Sequence, residues 1–373
     1  MSLQSTIAVV IPTFNGSAFI ADSIRSVMAQ SRPPAELLVV DDCSTDNTLD
    51  VVRGVANSCA FPVRILTTRS NSGSPSEPIN IGVRETRADV IAVLDQDDIF
   101  DPDRLRDGVL PLDRRADVVV TACACGVFST KRKLVFASRY HAILRQIARL
   151  GIPTPEGAIT DGRVFLAQLL SKGNFIVGYP GFMFRRRAAE DVGGADSTLR
   201  IASDYDLLCK LSCAGSVGVI PKILYHRRNH GSNLSAISAT QCASEALLIT
   251  ARYATALRAE SFVSTFWKDI ERQYFWAVQQ LANGGSSVAA IQLAVSAFRD
   301  WGVRVENVVA ACRILLASLR NANFNKQHTD DYLRLQSTLL QRLRWLHTSR
   351  QLRRFVLLSP VSTCVLESGQ VEP

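Results

Sequence analysis

VIAVLDQDD, residues 90–98, decides how this chain is read. Val90 to Leu94 is an unbroken apolar run, the pattern of a strand buried on both faces of a parallel sheet. It runs directly into Asp95, Asp97 and Asp98. Carboxylates gathered at one strand end repel each other unless a cation lies between them. Mg²⁺ or Mn²⁺ together with a diphosphate suits such a group, because hard cations take carboxylate and phosphate oxygens together. A solvated turn with capping Asp side chains, helped by Asp101-Pro102, accounts for the same residues.

Working outward, the same grammar recurs. Residues 6–12 (TIAVVIP) form a β-branched run that ends at Thr13, Phe14 and Asn15, with Asn15-Gly16 marking a turn. Residues 17–30 follow with Phe19, Ile20, Ile24, Val27 and Met28 at helical spacing, and Pro33-Pro34 breaks the pattern. LLVVD (37–41) is a second strand running into Asp42 to Asp46, VRIL (63–66) a third, and 79–87 a helix. Strand alternating with helix predicts an α/β fold with a mostly parallel sheet flanked by helices. In such sheets ligands bind outside the carboxyl ends of the strands, which is where these polar clusters fall.

Further strands are expected over Val118 to Cys125, Gly178 to Arg185 and SVGVIP (216–221). Residues 140–172 read as helical, interrupted by GIPTPEG, and SDYDLLCKLSCAG (203–215) as a helix ending at Gly215. From 236 onward Pro is absent until Pro360 and helical periodicity dominates, so 236–373 is expected to be a separate helical region after a first domain of 1–235.

The 373 residues are 47% hydrophobic, which suffices for a substantial core and excludes a disordered chain or a rod. Lys and Arg number 42 against 34 Asp and Glu, a net charge of +8 that suits an anionic partner without choosing one. No apolar run is long enough to span a bilayer, and the first residues lack the form of a secretory signal. The nine Cys lack zinc spacing and read as reduced thiols, so a cytoplasmic location is expected.

Taken in order, IPTFN (11–15), VVDDCSTDNT (39–48), the 71–82 segment, LDQDD (94–98), the Gly193-Gly194-Ala195-Asp196 turn, SDYDL (203–207) and YHRRNHGS (225–232) resemble the family 2 glycosyltransferases. The resemblance covers roughly residues 5–235. It implies a GT-A type, Rossmann-like sheet, a nucleotide-sugar donor (a UDP- or dTDP-sugar), a glycan or lipid-linked acceptor and inversion at the anomeric carbon, assisted by Mn²⁺ or Mg²⁺. Carried over residue by residue, it implies that Pro12, Thr13, Phe14, Asn15, Asp42 and Asp95 hold the donor nucleotide. Asp97, Asp98 and His230 serve the metal or diphosphate, and Asp204 is the base. Tyr179, Gly181 and Gly194 are expected on the acceptor side. The chain departs from the family pattern in four places: Ser203 stands where an acidic residue usually precedes the base, Ala195 replaces a Phe, Phe14 stands where many relatives have Tyr, and NSGSPSEPIN (71–80) carries an insertion.

The resemblance keeps two rivals in view. A nucleotidyltransferase would carry a basic, Gly-rich loop after the first strand, and PTFNGSAF has no basic residue. A non-catalytic nucleotide-sugar-binding scaffold is suggested by Ser203. Nucleic acid is not an expected partner, since basic residues interleaved with aromatics are absent outside the C-terminus. There, residues 332–358 place Arg334, Arg342, Arg344, Arg350, Arg353 and Arg354 around Leu335, Leu339, Leu343 and Leu346 at helical spacing. Two readings stay open: an amphipathic helix on an anionic membrane surface, at the inner face, or one packed on the first domain.

Overall fold

β-branched and apolar runs too short for helices build most of the strands, and the sheet they form places the site. The computed structural model describes residues 4–129, 134–136, 138–230, 239–257, 269, 270 and 272. Along the chain come β1 (Ile7–Thr13), α1 (Ile20–Met28), β2 (Glu36–Asp41), α2 (Thr48–Ala56), β3 (Val63–Thr67), α3 (Ser76–Glu85), β4 (Val90–Val93) and β5 (Ile99–Phe100). Then follow α4 (Arg104–Arg114), β6 (Val118–Ser129), β7 (Leu134–Phe136), α5 (Ser138–Ala148), β8 (Ile152–Thr154), β9 (Gly157–Thr160), α6 (Gly162–Lys172), β10 (Phe182–Arg185) and α7 (Arg186–Asp191). The last described elements are α8 (Ser203–Ala214), β11 (Ser216–Asn229) and α9 (Ala239–Leu257).

The strands make one sheet in the order β3-β2-β1-β4-β10-β6-β11-β9-β8, with β5 on β11 and β7 on β6. β3, β2, β1 and β4 are parallel, as the strand–helix alternation predicts. β10 runs against both of its neighbours, β4 and β6. It therefore enters the sheet at the end where β1, β2 and β4 leave it.

Successive residues of a strand face opposite sides. In β1, Ala8 and Val10 pack toward α3, α6 and α8, while Ile7, Val9 and Ile11 pack toward α1, α2 and α4. Each such fully buried Val or Ile is worth about 1.5–3 kcal/mol of transfer free energy. In α1 the residues at spacings of four and three, Ile20, Ile24 and Val27, are the buried apolar ones, with Ser23 and Ser26 buried beside them.

Four expectations change. GIPTPEG does not merely interrupt a helix: it is the β8–β9 hairpin at the sheet edge, between α5 and α6. The strand expected from Gly178 begins only at Phe182, because Tyr179–Gly181 is a single 3-10 turn. SVGVIP continues as a strand to Asn229, carrying His226, Arg227 and Arg228 into the sheet. The break at 236 is not a break in packing: Ile249, Tyr253, Ala254 and Leu257 of α9 are buried in the same core as α6 and α8. The helix expected over 332–358 lies outside the described residues. No helix among the described residues is long and apolar enough to cross a membrane.

Candidate active site

The carboxyl ends of β1, β2 and β4 meet in three interlocked loops. Gln96, between the acids, ties the first to the third. Its Oε1 accepts from Thr13 Oγ1 at 2.6 Å and from the Phe14 amide at 3.0 Å, and its Nε2 donates to the Phe14 carbonyl at 3.1 Å. Gly16 lies so close that a Cβ there would stand 2.1 Å from Gln96 Oε1 and 2.9 Å from Thr13 Oγ1. Asn15, in the left-handed region at φ 49°, ties the first loop to the second. Its Oδ1 accepts from the Thr45 amide at 2.8 Å, and its own amide donates to Ser44 Oγ at 2.9 Å.

The two Asp side chains after β2 have different surroundings. Asp42 accepts from Thr68 Oγ1, from the Ser72 amide and from Ser72 Oγ, all within 3.0 Å. Asp41, at the tip of β2, accepts from the Ser44 amide at 3.1 Å through Oδ2, while its buried Oδ1 has no hydrogen-bond partner. Asp42 thus holds the 71–72 loop in place, and Asp41 is the one with an acceptor to spare.

Around Asp95 the acids gather. Burial, Asp97 and Asp204 together push the Asp95 carboxyl up to about 7, with Arg227 opposing. Burial, Asp95 and Asp97 hold Asp98 well above the usual carboxylate range, although the Arg228 amide donates to it at 2.9 Å. Asp97 Oδ2 lies 2.8 Å from His230 Nε2. The His230 ring stacks on Phe19 with centroids 4.8 Å apart. The Arg228 guanidinium lies over both Phe19 and Phe128, and its Nε donates to the Asp97 carbonyl at 2.9 Å. Arg228 thus braces the acidic loop, through its Nε to the Asp97 carbonyl and its amide to Asp98.

Asp204 sits in the first turn of α8. Burial pushes its carboxyl up to about 6, held back by amide donors from Tyr205 and Gly178 and by the Asn174 side chain, whose Nδ2 stands 3.3 Å from Oδ2. Gly178 links Asp204 to the acidic loop. Its φ is 69°, in the region that favours glycine, and a Cβ there would stand 3.3 Å from Asp95 Oδ2. The structure thus brings together Asp95, Asp97 and Asp98 from the loop after β4, Asp204 from α8 and His230 from just after β11.

Other expected residues are placed differently. Tyr179 and Gly181 are buried rather than facing an acceptor. The Tyr179 ring packs beside Phe182, and a side chain at Gly181 would meet Ile176 and Tyr225. The backbone that reaches the site is that of Gly178, just upstream. Gly194 is held against α3, where Asn80 bonds both the amide and the carbonyl of Ala195. Pro12 is buried in β1 beside Val40, which leaves Phe14 as the exposed ring, 43% accessible. Gln96, Asn174 and Gly178 carry no functional role in the sequence reading; only the position of Gln96 between the two acids hinted at one.

Among the described residues no three His, Cys, Asp or Glu side chains form a ready-made cation cage. Mg²⁺ or Mn²⁺ bound with a diphosphate relies on one or two carboxylates, waters and substrate phosphates. Crowded carboxylates raised by mutual repulsion are a donor set of that kind.

Residues 8–193 match the model of Glycosyl transferase family 2. The chain is 33% identical over 223 residues to the succinoglycan biosynthesis protein ExoO of Rhizobium meliloti, covering 59% of this chain and 60% of that one. It is 33% identical over 116 residues to the poly(ribitol-phosphate) beta-N-acetylglucosaminyltransferase TarS of Staphylococcus aureus, covering 30% of this chain and 20% of that one. The chain thus spans only part of the length of these relatives. Its fold resembles that of the mannosyltransferase PcManGT of Pyrobaculum calidifontis, solved with GDP-Man and Mn²⁺. The TM-score is 0.55 and the identity 16%, covering 87% of this chain and 88% of that one.

Proposed function

Because the chain belongs to Glycosyl transferase family 2, we propose that it is an inverting transferase moving a sugar from a nucleotide-sugar to a hydroxyl of a glycan or lipid-linked acceptor. The observation that carries this reading is the raised, buried carboxyl of Asp204 facing the acidic loop at Asp95. A general base works best when its pKa lies near the working pH and it stands within reach of the proton it removes. At about 6, Asp204 is mostly ionised at neutral pH and still avid for a proton.

In this reading the loops around Phe14, Asp41 and Gln96 receive the nucleoside. Asp95, Asp97 and Asp98, with His230 behind Asp97, would hold a divalent cation. When bound, the cation supplies positive charge that stabilises the departing nucleoside diphosphate. Asp204 takes the acceptor's hydroxyl proton as that oxygen bonds to the anomeric carbon. The sugar–phosphate bond breaks, and its electron pair leaves with the diphosphate. Attack from the face opposite the leaving group inverts the centre, through an oxocarbenium-like transition state. Burial of Asp204 excludes water from competing for that proton.

The names of the relatives support a polymeric acceptor, a polysaccharide or a polyol-phosphate chain. Mn²⁺ beside GDP-Man in the structural neighbour supports metal assistance. The test is Asp204→Asn. Transfer should fall about 10²–10⁴-fold with UDP or GDP affinity retained. Transfer at the unmutated rate removes the base from the scheme. Nucleotide-sugar binding with no turnover by the unmutated chain, across acceptors, favours the scaffold.

A further inference from the structure

The family match ends at residue 193, before the base, and the segment from there to Asp204 is held by a helix farther along the chain. Residues 200–202 lead directly into α8. Their three successive amides all donate to one carboxylate, Glu245 of α9. Oε1 accepts from Arg200 at 3.0 Å, and Oε2 accepts from Ile201 and Ala202, each at 2.8 Å. Glu245 is buried, and Gln241 Nε2, one turn earlier on α9, donates to its Oε1 at 3.0 Å. A carboxylate has about four acceptor positions, and all four are taken here.

The same helix grips α8 on the far side of the base. Arg252 Nη1 lies 2.7 Å from Asp206 Oδ1, and Tyr253 Oη donates to the same oxygen at 3.0 Å. Arg252 also reaches Asp196 at 3.4 Å. Asp204 therefore sits between two clamps, at 200–202 and at 206, both supplied by α9. Among the described residues no hydrogen bond or ion pair joins α9 to the loops after β1, β2 or β4.

We propose that Glu245 is a positioning residue for Asp204. It sets where α8 begins, and so where the base points, without touching substrate. The unit able to transfer sugar then extends past the family domain through at least α9. The proposal rests on Asp204 being the base.

Glu245→Gln tests it, because the carboxamide sets an NH₂ against amide donors that now share a carboxylate. Transfer is read as UDP released from UDP-GlcNAc or GDP released from GDP-mannose, whichever the unmutated chain turns over. kcat should fall about a hundredfold, the scale of an ångström-sized misplacement. The affinity for the matching free nucleotide, UDP or GDP, measured with Mn²⁺, should change by less than about twofold, since lost transition-state positioning need not alter binding. Hydrogen exchange should quicken in residues 199–206 and stay unchanged in 36–56 and 90–98. Glu245→Asp, which keeps the charge but shortens the reach, should lower kcat in the same way and decides the matter if the Gln variant does not fold. Unchanged kcat in a folded variant, or unchanged exchange at 199–206, overturns the proposal. Asp204→Asn run alongside separates the two claims: if it retains transfer, the base assignment has failed. If it loses transfer while both Glu245 variants keep it, only the positioning role has failed.

Discussion

At the tips of β1, β2 and β4 the polar side chains are largely occupied by one another: Gln96 by Thr13 and Phe14, Asn15 by Thr45, Asp42 by Thr68 and Ser72. At the start of α8 the arrangement is sparser. Among the described residues Asp204 has one side-chain hydrogen-bond partner, Asn174, at 3.3 Å, and the buried hydroxyls of Ser203 and Tyr179 have none. The donor side is a lattice of short hydrogen bonds that fixes loops before a ligand arrives. The start of α8, the base side in our proposal, carries its carboxylate at a cost in solvation and is contacted by α9 on both sides. Preorganisation suits binding, while a poorly solvated acid suits proton removal.

The comparison can be broken or sharpened by experiment. The largest effect is on pH. Transfer needs Asp204 ionised, so kcat should fall tenfold for each pH unit below about 6 and level off above it. A profile flat down to pH 4 would mean that Asp204 is not proton-avid. A smaller effect tests the donor lattice. Gln96→Ala and Gly16→Ala remove the same tie, one by deletion and one by a Cβ that evicts the Gln side chain. Each should weaken UDP binding by about tenfold, and the double variant should be no weaker than either alone, as expected of groups acting as one unit. Full additivity would show that they act separately.

The smallest effect is on stability. The Asp204 carboxyl is raised in the folded state, so the native protein holds its proton more tightly than the unfolded chain does. Its presence therefore costs stability fully above about pH 6, and that cost fades as the pH falls toward 4. Asp204→Asn should stabilise by about 1–3 kcal/mol at pH 8, a rise of a few degrees in Tm, and by little at pH 4. No gain at pH 8 would mean that the base is better solvated than its surroundings imply.

The same divide explains what the sequence disclosed. The parallel half of the sheet was readable because each strand is an apolar run ending in its own polar loop, so local pattern and final place coincide, as at VIAVLDQDD. The acids after β4, Asp204 on α8 and His230 after β11 could be named because each stands in a recognisable short motif. Asn174, Gly178 and Glu245 were not readable. Their roles arise from contacts between segments far apart in the chain, and Glu245 is joined to residue 200 across 45 positions. Tyr179 was expected on the acceptor side from the family resemblance alone, whereas its ring is packed in the core beside Phe182 at the entry to the antiparallel β10.

The direction of β10 has one more effect. A strand that leaves the sheet at a site offers carbonyls and then a loop whose length is tied to the next helix. A strand that arrives there, as β10 does, presents an amide in advance: the Gly178 N–H points its partial positive charge into a crowd of anions. The stretch upstream, between α6 and Phe182, is itself held in the core by Phe175, Ile176 and Tyr179, so that amide is fixed from one side by packing and from the other by the pairing of Met183 with Ala92 and Thr121. A backbone donor placed this way needs no side chain to stay aimed at the acids.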